Sequence, residues 1–137
     1  MSIFKLSAIS ESRLAGVHPD LVRVVHKAIA ITRTDFGVAC GLRTLKEQKY
    51  LYSIGKTRTM HSRHLSGHAV DLCPVYGGKW NWDDPDMFEA VAEWVKKAAA
   101  MENVSVTWGG DWKHFIDMPH YELSWEKYPL VAQKLDD

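Results

Sequence analysis

Between Ala69 and Pro74 the chain reads Ala-Val-Asp-Leu-Cys-Pro, an apolar run with one carboxylate in its middle. Alternate side chains of a strand point to opposite faces, so Ala69 and Asp71 share one face while Val70 and Leu72 share the other. A carboxylate buried there without a partner is costly. The fold must therefore bring positive charge to Asp71. A bound cation would supply it, and so would an ion pair to an arginine such as Arg43.

The residues leading into this strand are Ser62-Arg63-His64-Leu65-Ser66-Gly67-His68. His61, His64 and His68 have the spacing of one helical face, which taken alone suggests a three-histidine metal site. Ser66-Gly67 makes poor helix, and on a loop entering a strand helical spacing carries no geometric meaning. His64 with Asp71 is the better pair. A second segment, Asp117-Met118-Pro119-His120-Tyr121-Glu122, sets a carboxylate three residues before a histidine at the mouth of a strand. Two ring nitrogens and one carboxylate would leave a fourth tetrahedral position open, as a catalytic zinc requires. A nearby carboxylate would then take the proton from water. Each short piece occurs often by chance.

The rest of the pattern predicts the frame. Leu21, Val24, Val25, Ala28 and Ile29 share one face of a helix over 20–33, with Pro19-Asp20 at its start. Phe36 to Cys40 reads as a buried strand. Thr44 and Glu47 form a capping box for a helix to Ile54, which Gly55 ends. Residues 56–66 read as a polar, basic loop, and Tyr76 to Lys79 as a turn. Asp84 caps, and Pro85 opens, a helix fading near Met101, with Phe88, Val91, Val95 and Ala98 buried and Trp94 in the core. Val104 to Trp108 and His120 to Leu123 read as strands. The tail from Ser124, carrying Trp125, Tyr128 and Leu130, reads as a short helix packing back, broken at Pro129. The expected class is α+β: a small, mostly antiparallel sheet flanked by about three helices.

Charge and length exclude several classes. Seventeen Lys+Arg balance seventeen Asp+Glu, so the basic field that drives nucleic-acid binding is missing. No apolar run approaches the ~18 residues of a membrane span. The 137 residues suit one domain with no separate second domain, expected to act as a monomer. Cys40 and Cys73 are too few for a disulfide framework and read as buried free thiols. The N-terminus, Met1-Ser2-Ile3-Phe4-Lys5-Leu6, lacks the pattern of a signal peptide. Asp83-Asp84-Pro85-Asp86 fits a calcium site, but helix capping explains it as well.

Together the motifs resemble a known family. Ser62-x-His64-x-x-Gly67-x-Ala69-x-Asp71, followed by Asp117-x-x-His120, looks like the zinc peptidases that include D-alanyl-D-alanine carboxypeptidases and dipeptidases. Gly41-Leu42-Arg43-Thr44 resembles the family's Gly-x-Arg-Thr/Ser segment. Asp117 at the base position, His18-Pro19-Asp20-Leu21 and Trp108-Gly109-Gly110-Asp111-Trp112 are most similar to phage endolysins that cut the L-alanyl-D-glutamate bond. The resemblance implies a fold of the hedgehog and D,D-peptidase type, with His64, Asp71 and His120 holding Zn2+ and Asp117 as general base. Arg43 would hold the scissile carbonyl or a substrate carboxylate. Ser62 would touch substrate or support the site, and Glu122 would orient His120. His68, at an unspecified motif position, would touch substrate or stand solvated at the strand end. Peptidoglycan would be the substrate, and the enzyme would wait in the host cytoplasm until a holin or another route releases it to the wall.

Other readings remain open on the sequence. A wall-remodelling D,D- or L,D-carboxypeptidase would carry the same ligands, and a non-catalytic wall-binding module would keep the zinc without the base. Trp80, Trp82, Trp108 and Trp112 fit either a groove for the glycan–peptide strand or the core. His61 and His114 fit the cleft wall or exposed loops, while His18 and His26 read as structural.

Overall fold

The computed structural model describes residues 2–57 and 59–130. Among the described residues four α-helices order themselves around one sheet: α1 (Ala8–Arg13), α2 (Pro19–Ile31), α3 (Leu45–Ser53) and α4 (Pro85–Met101). The strands are β1 (Phe36–Cys40), β2 (Ala69–Tyr76), β3 (Lys79–Trp80), β4 (Val106–Trp108) and β5 (His120–Leu123). Two single-turn 3-10 helices, Arg63–Ser66 and Gly109–Asp111, sit where the chain enters β2 and leaves β4.

The expected α+β class holds, with differences at particular elements. Helix α1 has no strong apolar stripe and was not anticipated; the Ser7 hydroxyl caps it by accepting from the Ser10 N–H. Helix α2 stops at Ile31, two residues early, because the Thr32 hydroxyl donates to the Thr34 carbonyl and accepts from the Thr34 N–H. Such local bonds compete with helix. Strand β4 begins at Val106, not Val104, because Asn103 turns left-handed (φ 56°) and the Val104 N–H returns to Ala99. The basic loop contains an ordered turn, Arg63–Ser66. Residues 125–127 form a turn, not a helix, and the Tyr128 hydroxyl anchors the segment by donating to Asp20 (2.7 Å). The end of the expected tail helix lies outside the described residues.

All strand pairs are antiparallel, in the order β1-β2-β5-β4, with β3 folded back on the end of β2 through Gly77-Gly78. One sheet face carries Val38, Val70, Leu72, Tyr121 and Leu123 into a core shared with Leu21, Val24 and Val25 of α2 and Val91 and Val95 of α4. Each such aliphatic side chain contributes about 1.5–3 kcal/mol on full burial. Trp108 joins this core, whereas Trp94 is only half-buried, its ring 4.5 Å from the Lys97 ammonium. Among the described residues no helix is long and apolar enough to cross a membrane.

The opposite face carries Asp71 on β2 and His120 and Glu122 on β5. Asp71 pairs with His120 and, on its other side, with Cys40 of β1. The Cys40 pairing depends on a bulge. Val38 opposes Leu72 while Cys40 opposes Asp71, so Ala39 is extra. In regular alternation Cys40, two residues on, would share Val38's core-facing side; the bulge turns it over.

Gly67 ends the 3-10 turn in the left-handed conformation (φ 77°), and a Cβ there would collide with the Gly16 carbonyl. Gly67→Ala should therefore cost on the order of 1–3 kcal/mol in denaturant unfolding of chelated protein. An unchanged midpoint would show that the backbone relaxes freely here.

Candidate metal centre and catalytic cleft

His64, Asp71 and His120 meet because three elements converge. Ser62 caps the 3-10 turn, its hydroxyl accepting from the His64 N–H (3.2 Å), and so aims His64 at β2. His64 Nε2 lies 3.1 Å from Asp71 Oδ1. His120 Nδ1 reaches the same oxygen from β5 at 3.4 Å. Arg43, carried in by the chain leaving β1, stands 3.8 Å from Asp71 Oδ2. The carboxylate thus faces two imidazoles on one oxygen and a guanidinium on the other, so neither compensation expected from the sequence excludes the other.

The outer nitrogens decide which lone pairs are free. His64 Nδ1 lies 2.9 Å from the Gly41 carbonyl, which can only accept, so Nδ1 carries a proton and Nε2 is the available donor atom. His120 Nε2 lies 2.7 Å from Glu122 Oε1, leaving Nδ1 turned inward. Such outer partners orient metal-binding histidines. A second triad, Cys40, His64 and Asp71, has its ligand atoms within 4.8 Å of one another. Its thiol sits 3.8 Å from His64 Nδ1, the nitrogen already committed to Gly41. His64 Nε2, Asp71 Oδ1 and His120 Nδ1 could together hold a cation, a donor set suited to zinc.

Burial and charge tune these groups in opposite directions. Burial pushes the Asp71 pKa up, but His64 and His120 outweigh it and hold the carboxyl far below its ordinary value. Burial pulls His64 down, yet Asp71 overrides it and raises the imidazole to about 10. His120 is also raised, through Asp71 and Glu122, against the pull of burial. Asp117 moves the other way from Asp71: burial first, then repulsion by Asp71, raises it.

Asp117 reaches the site through a close-packed turn. The His120 N–H donates to the Asp117 carbonyl (3.2 Å), and the Asp117 N–H to Gly109 (3.0 Å). Any Cβ at Gly109 would strike the Asp117 carbonyl. Gly109 thus lets the Asp117 segment lie against the 3-10 turn that follows β4. Fully buried Gln48 of α3 accepts from Arg43 Nη1 (2.8 Å) and donates to the Thr59 carbonyl (2.6 Å), tying the arginine to the cleft loop. Buried Arg63 donates to the Leu123 carbonyl (2.7 Å) beneath the Trp125 ring, joining the turn that carries His64 to the strand that carries His120.

The cleft around these groups encloses about 690 Å³. The structure brings together Arg43, His64, Asp71, Asp117, His120 and Glu122, and Ser62, His61, His114 and Trp112 line the same cleft. His68 does not line it. Its ring lies against His18 (5.4 Å) and its Nδ1 beside Ser66 Oγ (2.8 Å). His18 caps α2 through Nδ1, and His26 pairs with Glu11. Both thiols are free, but Cys40 is only half-buried. The two oxygens of Asp84 are taken by the Met87 N–H and the Tyr76 hydroxyl, so the acidic stretch serves the start of α4. Gln48 was missed in the sequence, and Gly109, although part of a stretch that carries the resemblance, was given no role: a lone Gln in a short helix and one Gly of a Gly-Gly pair do not show which backbone lies opposite.

Comparison with known families matches residues 1–124 to the phage L-alanyl-D-glutamate peptidases. The L-alanyl-D-glutamate peptidase of Escherichia phage T5 is 30% identical over 112 residues, covering 80% of this chain and 82% of that protein. The L-Ala D-Glu endopeptidase ChiX of Serratia marcescens superposes with a TM-score of 0.86 at 39% identity, covering 92% of this chain and 95% of that one. The vancomycin-resistance D,D-dipeptidase VanXYg shares the fold at 15% identity and TM-score 0.52, covering 88% of this chain and 58% of that one.

The two triads make different predictions. Cys40→Ser should keep one zinc per chain and His120→Ala should lose it, with Glu122→Gln weakening affinity by about 10–100-fold, all read by metal analysis after dialysis. Loss of zinc in Cys40→Ser with retention in His120→Ala would select the thiol triad. In chelated protein the stabilisation from raising His64 is complete below its ordinary value of 6.5 and lost as pH rises through about 10. Zinc uptake at neutral pH should accordingly release protons, seen in calorimetry as heat that varies with the buffer's ionisation enthalpy.

Proposed function

The chain belongs to the phage L-alanyl-D-glutamate peptidase family, and from that membership we propose that it hydrolyses the L-alanyl–D-glutamate amide of peptidoglycan at the His64–Asp71–His120 centre. It is a peptidoglycan endopeptidase. The observation that carries the site assignment is the convergence of two ring nitrogens, His64 Nε2 and His120 Nδ1, on one Asp71 oxygen, with a separate, half-buried carboxylate, Asp117, lining the same cleft. Zinc in such a site supplies Lewis acidity, polarising the scissile carbonyl and easing deprotonation of water.

The chain's own residues do the remaining work. Asp117, its pKa raised by burial and by Asp71, takes the proton of the attacking water and passes it to the departing D-glutamyl amine. A general base works best when its pKa approaches the working pH. Arg43, braced by Gln48, presents a guanidinium where negative charge develops on the carbonyl oxygen. Glu122 holds His120 by its outer nitrogen. Ser62 fixes the turn behind His64.

The biological role follows as part of the same proposal. The family's phage members support an endolysin: a monomer held inside the host until a holin-type hole admits it to the wall. A carboxypeptidase reading finds less support, because the phage T5 and ChiX relatives are both named for the L-alanyl-D-glutamate bond.

Digestion of diaminopimelate-type peptidoglycan, with termini read by mass spectrometry, tests the reaction. New D-glutamyl N-termini, abolished by a chelator and restored by zinc, are expected; released D-alanine would move the protein to the carboxypeptidases. Asp117→Asn should bind zinc normally and lose about 10²–10⁴-fold in kcat. The acid limb of the pH–rate profile, which lies above the ordinary aspartate range in the wild type, should go with it. Full turnover in Asp117→Asn would remove it from the base role.

A further inference from the structure

We propose that the aromatic groove behind the Asp117–His120 turn, built on Trp82 with Trp80 against it, is a sugar subsite for an N-acetylated amino sugar of the glycan strand. The inference rests on the endopeptidase reading and adds to it the part of the substrate that is not peptide. In peptidoglycan the L-alanine of the stem peptide is joined through a lactyl group to a sugar. The scissile carbonyl therefore lies one residue and one lactyl group from a pyranose ring, and an enzyme cutting this bond in the wall meets that ring within a short reach of its cleft.

The groove adjoins the turn that carries Asp117 and His120. It encloses about 360 Å³ and is lined by Trp82, Asp83, Pro85, Phe88, Met118 and Pro119. Met118 and Pro119 are the two residues between Asp117 and His120. Successive Cα atoms are about 3.8 Å apart, so the groove wall is the back of the catalytic turn. That wall is pinned at both carbonyls: Met118 accepts from Trp108 Nε1 (2.7 Å) and Pro119 from the Leu72 N–H (2.8 Å).

The aromatic surface is built before any ligand arrives. Trp80 lies over Gly37, where any Cβ would collide with the indole. The Arg13 guanidinium sits 5.8 Å from the Trp80 ring centre. Trp80 and Trp82 lie nearly parallel (17°) with centroids 6.4 Å apart, and Trp82 leans on Phe88 at the same distance. Trp80 and Trp82 nevertheless remain 36% and 51% exposed. Contiguous aromatic surface left open to water is the kind of patch that marks an interaction site, and its rigidity lowers the cost of binding.

The chemistry favours a sugar over the peptide. A pyranose has an apolar C–H face that stacks on an indole plane, and hydroxyl and acetamido N–H groups that a carboxylate can accept. The charged group lining the groove is Asp83. It would repel the carboxylates of the stem peptide, whereas a neutral amino sugar meets no such penalty.

The test uses the zinc-loaded full chain and two substrates that share one peptide: a disaccharide-linked muropeptide and the free L-Ala-D-Glu-diaminopimelate stem. The wild type should prefer the muropeptide by about tenfold in kcat/KM. Trp82→Ala should abolish that preference while leaving the free peptide's rate unchanged, and Trp82→Phe should keep part of it. An intact preference in Trp82→Ala, or an equal loss on both substrates, overturns the subsite. Titration of tryptophan fluorescence with a β-1,4-linked N-acetylglucosamine tetramer reads the subsite without catalysis. Saturable quenching in the wild type is expected, and its absence overturns the proposal. If the wild type cleaves neither substrate, the endopeptidase reading fails, and the titration still decides the subsite.

Discussion

One carboxylate on the polar face of the sheet organises this molecule. Asp71 lies in the middle of β2, with neighbours on that strand that point into the core. Its charge is sustained by two imidazoles on one oxygen and Arg43 near the other. Removing the acid would leave two buried histidines and an arginine without their common partner. The cleft is in that sense the solution to an electrostatic problem set by β2: a buried negative charge must be answered. The residues that answer it arrive from β1, the 3-10 turn and β5.

The motif around Asp71 reads differently once each position has a physical task. Ser62 is a cap, Gly67 a left-handed stop pressed against Gly16, and Ala69 a fully buried strand residue. None of the three need touch a substrate to be required. They hold one turn so that His64 leaves it at the right height above the strand. Arg63 within the same turn clamps it to the end of β5. The spacing of the motif is thus largely the geometry of a turn entering a strand, and a smaller part of it is chemistry.

Asp71 and Asp117 show how environment separates two identical side chains. Both are drawn toward neutrality by burial. Asp71 faces cations directly and is driven to stay ionised, while Asp117 stands behind it and feels its negative charge. One is held in its charged form, and the other is shifted toward holding a proton. Two carboxylates pushed apart in this way define the acid–base roles of a site.

The apolar stripes of α2 and α4, the capping box of α3 and the alternation in β2 are local patterns, and they were legible as such. His64, Asp71, Asp117 and His120 stood out differently: each short piece is common by chance, and it was their joint resemblance to a family motif that singled them out. The Ala39 bulge, Gln48 behind Arg43, the close approach at Gly109 and the displacement of His68 toward His18 were not legible. Each depends on which backbone lies opposite, a relation between residues remote in sequence. Trp108 in the core, Trp112 in the cleft and Trp82 on the surface have the same side chain and entirely different surroundings. The sequence by itself determined the secondary elements and the chemical inventory of the site, since propensity, periodicity and charge are properties of neighbouring residues. The tertiary structure decided which lone pairs face inward and which aromatic rings stay in water, because those outcomes are set by strand register and by contacts that no local pattern encodes.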